Sequence, residues 1–475
     1  MTDKKFPLEW SGEEMRVAVD AAMERIARHL DSLPQQPAAY DLDGDKIAPL
    51  LAEAMPEQGV PLNEALGIVF DKAVPHSFNT AGPGYLAYVP GGGVPAASVG
   101  SLIADSVNRY VGVWLAAPGL VQLEVNVIRW FCSAVGYGEG SGGVLTTGGS
   151  MANLIATVTA RRERLPENFL DGTLYTSEQA HHSVTRAAVL AGFPEKNVKA
   201  VPSDSLFRME MDRLESMIRD DRARGKTPFM LIASAGTTNT GAVDDLTRAA
   251  DIAEREKMWL HTDAAYGGFF CLTERGREAL KGLERADSMS LDPHKGLFMP
   301  YGVGSLLVKE AKALERAHAT FADYMPAMQD HPDFVDFCQI SPELSREFRG
   351  LKVWLPLKLF GMDAFRQSLD EKLDLANWAT ERLKEIPDIE ILARPQLSIV
   401  AFRLKPDGVA EADLNELNRQ FMKRVNSKNR VYLTGTMLGG RFAVRICVLS
   451  FRTHMDRMEA CLEDIWDGVV STELL

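Results

Sequence analysis

Apolar positions recur at helical spacing early in the chain and give way to short apolar runs after about residue 140. In "SGEEMRVAVDAAMERIARHLDSL" (residues 11–33), Met15, Val19, Met23, Ile26 and Leu30 share one stripe, which predicts an amphipathic helix. Ser11 and Glu14 supply the S-x-x-E signature of a capping box at its start. The Pro-rich connections that follow carry no strand signal before about residue 85. A free-standing helix with so long a stripe needs a surface to bury it, and a partner subunit is one candidate.

Beyond residue 140, β-rich runs end in Gly, Ser, Thr or Asp and lead into helical stretches. "GGVLTT" precedes "GGSMANLIATVTARRE", "GTLYTSE" precedes "QAHHSVTRAAVLAG", and "FMLIASA" precedes "DDLTRAADIAEREK". "MWLHTD", "ADSMSLD" and "GVGSLLVK" complete the set. The alternation predicts an α/β fold whose mostly parallel sheet has helices on both faces. In such sheets ligands bind beyond the carboxyl ends of the strands. That rule singles out Gly148–Ser150, His181, Thr237–Thr238, Asp263 and Lys295. After residue 350 come a long helix leading to a second, strand-like "IEILARPQLSIVAFRL", a helix near 410–426, "FAVRICVLSF" and a final helix. They predict a smaller α+β domain.

Length and composition narrow the class. A chain of 475 residues is too long for one core. A net charge of −13 argues against nucleic-acid or anionic-membrane partners, which need a basic face. Five scattered cysteines without a CxxC fit reduced thiols in a cytoplasmic protein. The N-terminus has no apolar leader, and no window approaches 18 uncharged apolar residues, so a soluble intracellular protein is expected.

The candidate chemistry sits at the strand ends. "LTTGGSMAN" (145–153) reads as a strand, two glycines and a helix that begins near Ser150. Exposed amides and the positive end of the helix dipole make such a turn an anion site, although a plain serine-capped turn reads the same. Asp263 ends an apolar strand, where a carboxylate is costly unless paired, and Ala264 and Ala265 leave room for a flat ring. Of His181 and His182, one could stack on something planar. No H-E-x-x-H occurs and His261 and His294 are isolated, so no metal is expected. To act as a nucleophile, Lys295 needs a pKa well below the free value, which burial or the adjacent His294 would supply. An anion cradle, an imidazole, a carboxylate and a lysine at the ends of four strands form the set that pyridoxal 5'-phosphate (PLP) requires.

The order "TTGGSMAN … EQAHHSVTRAA … AGTTNTGAVDDL … WLHTDAAYGG … LDPHKGL" closely resembles the group II PLP-dependent amino-acid decarboxylases, aromatic-L-amino-acid decarboxylases among them. Residues 82–96, 122–137 and 348–361 share the similarity, which spans nearly the whole chain. It implies the PLP-dependent transferase fold type I, in three parts. These are an N-terminal helical segment wrapped around a partner (1–84), a large PLP domain (85–352) and a small α+β domain (353–475). It also implies a homodimer with active sites at the interface, and removal of the α-carboxylate of an L-amino acid as CO₂.

Residue by residue, Lys295 matches the lysine that condenses with the PLP aldehyde, Asp263 the partner of the ring nitrogen, and His181 the imidazole stacked on the ring. Gly149 and Ser150 match the phosphate turn, and Ala265 the small residue under the ring's other face. His294 matches the histidine before the lysine, and Thr238 lies in the matching Gly-Thr-Thr segment. Tyr88 and Pro90 fall in the segment that lines the substrate pocket of aromatic decarboxylases. Arg445 is a candidate for substrate-carboxylate or interface contacts.

Two positions depart from the family pattern. Asp292 stands where aromatic decarboxylases usually have asparagine, and a second carboxylate near the phosphate is unfavourable unless it points away or is paired. The family's mobile loop carries a tyrosine held to protonate the substrate carbon after CO₂ leaves. Its place falls within "DFVDFCQI" (333–340), which holds only Phe334 and Phe337, with Tyr324 about ten residues early. In similar relatives phenylalanine there accompanies oxygen-dependent aldehyde formation. The expected reaction is therefore decarboxylation, of an aromatic amino acid by the flanking sequence. An aldehyde synthase stands second, and another fold-type I lyase or an aminotransferase third.

Overall fold

The computed structural model describes residues 8–40, 44–320 and 334–473. Tyr324 lies outside them.

Seven strands build the larger sheet: β1 (Gly142–Thr146), β2 (Gly172–Ser177), β3 (Val198–Val201), β4 (Thr227–Ser234), β5 (Trp259–Asp263), β6 (Ser288–Leu291) and β7 (Gly304–Val308). Their order is β1-β7-β6-β5-β4-β2-β3. From β3 to β6 neighbours run parallel, whereas β7 is antiparallel to both β6 and β1. The sheet is thus mostly parallel, as the strand–helix alternation predicts. β3 was not expected: four residues at a sheet edge, one of them Lys199, carry no period. The register matters for the site. Ser234, Asp263 and Ser290 are aligned partners across β4, β5 and β6, so three polar side chains close three adjacent strands in one row.

The first helix runs Gly12–Ser32, and its capping box is formed. Glu14 N–H donates to Ser11 Oγ at 3.2 Å, and Ser11 N–H donates to Glu14 Oε2 at 2.8 Å. None of its residues is buried, and Met15, Met23 and Ile26 remain exposed. The helix Pro95–Val107 likewise exposes Val99, Leu102, Ile103 and Val107.

The helix Arg349–Leu383 crosses the expected boundary between residues 352 and 353. It is interrupted at Gly361, whose φ of 70° is the left-handed value glycine adopts readily. Val353 and Leu357, before the break, join the large core, while Ala376, Ala379 and Leu383, well beyond it, join the small one. The smaller sheet contains β8 (Ile389–Ala393), β9 (Ile399–Leu404), β10 (Thr434–Leu438) and β11 (Arg441–Cys447), ordered β10-β11-β9-β8 and antiparallel throughout. The run read as one strand-like stretch is two strands. β10 escaped notice because it is an edge strand containing Gly435. Leu86, near the expected start of the large domain, packs in the small core.

One histidine makes the fold acid-sensitive. The helix Lys312–His318 packs on the helix Gly149–Arg164, with His318 Nε2 3.0 Å from Thr159 Oγ1. The Thr159 hydroxyl donates to Ile155 O, so His318 Nε2–H is the donor. Burial, aided by Arg162, pushes its pKa from 6.5 down to about 4. Between those values the unfolded chain binds a proton that the folded chain refuses, so stability falls as pH drops through this window. The loss amounts to at most roughly 1.4 kcal/mol per pH unit. Urea midpoints at pH 7 and pH 5 should therefore drop more in the wild type than in His318→Gln, which keeps a neutral donor. Equal drops would remove His318 from the account.

Candidate active site

A cavity of about 250 Å³ opens at the carboxyl ends of the central strands. Gly149, Ser150, His181, Thr238, Asp263, Ala265, His294 and Lys295 all line it. Chain separations of up to 146 residues thus collapse onto one wall.

Asp263 closes β5, and three donors converge on its carboxylate. Ser290 Oγ (3.0 Å) and Ala265 N–H (3.2 Å) donate to Oδ1, and Asn153 Nδ2 (3.1 Å) donates to Oδ2. Burial pushes its pKa up, but Lys295 and the Asn153 and Ala265 donors outweigh it and hold the group below the usual carboxylate range. The ionised form is what the site is built to keep.

Lys295 follows β6 on the short turn Pro293–Gly296. Its Nζ lies 3.0 Å from Asp292 Oδ2. Burial lowers its pKa, yet Asp292 and Asp263 overcome that and raise it above the ordinary lysine value. This corrects the expectation of a depressed lysine. The expectation relied on burial or on His294 as a neighbouring cation; burial acts as expected, but the His294 Nδ1–H donates to Val303 O at 2.7 Å, and the group facing the amine is the carboxylate of Asp292. Asp292 itself is almost wholly buried, and its Oδ1 has no hydrogen-bond partner among the described residues.

The helix Gly149–Arg164 starts at Gly148 with no side-chain cap, so its first amides face the cavity unclaimed by Ser150. A Cβ at Gly149 would come within 3.1 Å of both Ala265 Cβ and Asp292 Oδ2, narrowing the cradle. His181 is half-buried with Nδ1 2.8 Å from Ser183 Oγ, and burial lowers its pKa; His182 is exposed.

Tyr88, Pro90 and Arg445 stand outside this lining. Tyr88 is 56% exposed with φ of 51°, a rare conformation for a bulky residue, and Pro90 is buried. Arg445 is buried and commits its donors within the protein. Nε donates to Asn239 O at 2.9 Å, and the terminal nitrogens donate to Thr238 O, Thr434 Oγ1 and, at 3.4 Å, Tyr88 O. It ties the small sheet to the Gly-Thr-Thr segment. Phe334 stacks on Trp114 at 4.4 Å, and Phe337 is buried beneath the Arg346 guanidinium. Asn153, Ser183 and Ser290 were not singled out from the sequence. For Ser290 the available signal is polar residues at alternate positions of a buried strand, "SMSL"; Asn153 and Ser183 lie on helices and carry no such mark.

The family model described as "Pyridoxal-dependent decarboxylase conserved domain" matches residues 46–405. The chain belongs to this family. The decarboxylase is 35% identical to the aromatic-L-amino-acid decarboxylase of Bacillus atrophaeus over 453 residues, which is 95% of this chain and 94% of that one. Its fold is similar to that of Oryza sativa TDC with PLP and tryptamine, with a TM-score of 0.93 at 25% identity over 98% of this chain and 99% of the other. Rhodiola rosea 4-hydroxyphenylacetaldehyde synthase is also similar, with a TM-score of 0.90 at 25% identity over the same shares. The protein is a PLP-dependent amino-acid carboxy-lyase. The cavity's own donor set fits that cofactor: uncapped amides for a phosphate, a carboxylate kept ionised for a ring nitrogen, and a lysine between them.

Proposed function

We infer that the decarboxylase acts on aromatic L-amino acids as a homodimer, with Lys295, Asp263 and His181 as its catalytic residues. The convergence of eight motif residues on one cavity carries this reading, and the Bacillus relative's name supports the substrate class. When bound, PLP supplies an electron sink for the pair released as CO₂ leaves. Asp263 keeps a proton at the ring nitrogen, because its donors favour the carboxylate over the acid. The amides of Gly149 and Ser150 would hold the phosphate, and His181 and Ala265 would flank the ring. Lys295 would be the residue that holds the cofactor's aldehyde, and Asp292 and Asp263 stabilise the charged form of its amine. His294 packs at the glycine turn, and Thr238 lines the same cavity.

Exposed apolar rows on the helices Gly12–Ser32 and Pro95–Val107 support the dimer. Light scattering should return twice the chain mass, and a monomer at micromolar concentration would count against it. Five buried, unpaired cysteines agree with a reducing, cytoplasmic setting.

The test is incubation of PLP-loaded protein with the common amino acids, DOPA and 5-hydroxytryptophan, recording CO₂, amine, ammonia and peroxide together. CO₂ matched by amine is expected. Phe334 and Phe337 carry no hydroxyl to protonate the product carbon, and this favours one second reading, the oxygen-dependent aldehyde synthase. Peroxide and ammonia matching CO₂ would establish that reading in place of the first.

A further inference from the structure

A strand buried on both faces of a parallel sheet should read as an unbroken apolar run. β5 and β6 do not. Trp259, His261 and Asp263 alternate along β5, and Ser288 and Ser290 along β6, with His261 and Ser288 aligned partners. Asn153 meets them from the helix Gly149–Arg164. Trp259, His261, Ser288 and Asn153 are all buried, so every polar group among them requires a partner.

The partners form one chain. The Trp259 indole N–H donates to Ser288 Oγ at 2.8 Å, and Ser288 Oγ lies 2.8 Å from His261 Nδ1. His261 Nε2 lies 3.0 Å from Asn153 Oδ1, and Asn153 Nδ2 donates to Asp263 Oδ2 at 3.1 Å and to Ser183 Oγ at 3.0 Å. The directions follow from the end of the chain. An ionised carboxylate only accepts, so the Asn153 amide nitrogen faces Asp263 and its oxygen faces His261. His261 Nε2 must then carry the hydrogen, and in a neutral ring Nδ1 accepts from the Ser288 hydroxyl. Burial lowers the His261 pKa and keeps that ring neutral.

We propose that His261, anchored by Ser288 and Trp259, is a positioning residue that locks the Asn153 amide with its N–H toward Asp263, so that the carboxylate stays a weak base and leaves the proton on the cofactor's ring nitrogen. Without the Nε2–H donor, the Asn153 oxygen is left unpaired in the core and the amide is no longer held in line with Asp263, so its N–H bond to the carboxylate weakens. The carboxylate then becomes the better proton acceptor. This rests on the assignment of Asp263 to the ring nitrogen.

The experiment uses the full-length protein, PLP titrated into the apoprotein, and ¹⁵N-labelled PLP to report protonation of the ring nitrogen. His261→Leu is expected to weaken PLP about tenfold, to move the ring-nitrogen resonance toward the unprotonated value, and to lower kcat with KM little changed. His261→Gln, which restores a donor at the Nε2 position, should stay within about twofold of wild type. Asn153→Ala should reproduce the His261→Leu losses, and the double variant should be no worse than Asn153→Ala alone. Additive losses, or wild-type resonance and affinity in Asn153→Ala, would overturn the proposal. If His261→Leu does not fold, the contrast of Asn153→Ala with His261→Gln decides by the same two readouts. Asp263→Ala separates the two levels. Unchanged affinity and resonance there would refute the Asp263 assignment, whereas losses there with none in the relay variants would refute only the relay.

Discussion

Lys295→Ala is expected to lose at least about a thousandfold in turnover, and to lose stability for a separate reason. The alanine removes the one lysine that lines the cavity among the described residues. It also leaves Asp292 buried without its lysine, with only the His294 ring nitrogen, 3.6 Å from Oδ2, still near it. Breaking a buried pair from one side costs about 3–5 kcal/mol. The two effects are separable. Adding Asp292→Asn to Lys295→Ala should recover much of the melting temperature and none of the turnover. Asp292→Asn alone should retain PLP at least as well as wild type, since it removes a carboxylate from beside the phosphate cradle. Near-wild-type turnover in Lys295→Ala would overturn the assignment of the lysine, and no recovery in the double variant would mean that Asp292 is satisfied in some other way.

Asp263→Ala should lose both PLP on dialysis and roughly two to four orders of magnitude in kcat. Three donors, from Asn153, Ser290 and Ala265, converge on two oxygens, and alanine leaves all three unmatched inside the sheet. Asp263→Asn is not a benign alternative. Wherever its amide nitrogen points, it meets a donor: the Ser290 hydroxyl and Ala265 N–H on one side, or the Asn153 amide on the other. The asparagine variant should therefore be nearly as inactive, although it is isosteric. Absorbance of retained PLP after dialysis and steady-state kinetics together check this. Intact kcat in either variant would sink the electron-sink role of Asp263.

These effects also show why some of the site could be read from letters and some could not. Strand ends are marked by abrupt changes from apolar to Gly, Ser or Asp, so Gly149, Asp263 and Lys295 announced themselves, and the sheet rule put them on one edge. Asn153, His261 and Ser288 lie inside elements, where a polar letter is ordinarily assigned to solvent or to a local backbone contact. Only the register of β5 on β6 and the helix laid over them reveals a continuous network. Lys295 was misjudged in its titration because proximity in sequence pointed to His294. The fold turns that ring to Val303 and brings Asp292 to the amine. The two successive helices expected after residue 350 meet at Gly361, a joint the letters do not mark because apolar residues continue on both sides of it.

The antiparallel β7 has a consequence of its own. Because it is wedged between β1 and β6 and opposes both, those two strands point the same way, two inter-strand spacings apart. That separation is about 10 Å, so the glycine turn after β1 and the lysine turn after β6 are held apart by the width of one intervening strand. β7 works as a ruler, held in place by Leu306, Leu307 and Val308, which are buried in the large core. A Cβ at Gly304 would reach to 2.5 Å from Gly148 Cα and 2.6 Å from Asp292 Oδ1, where the ruler touches both ends of the distance it sets.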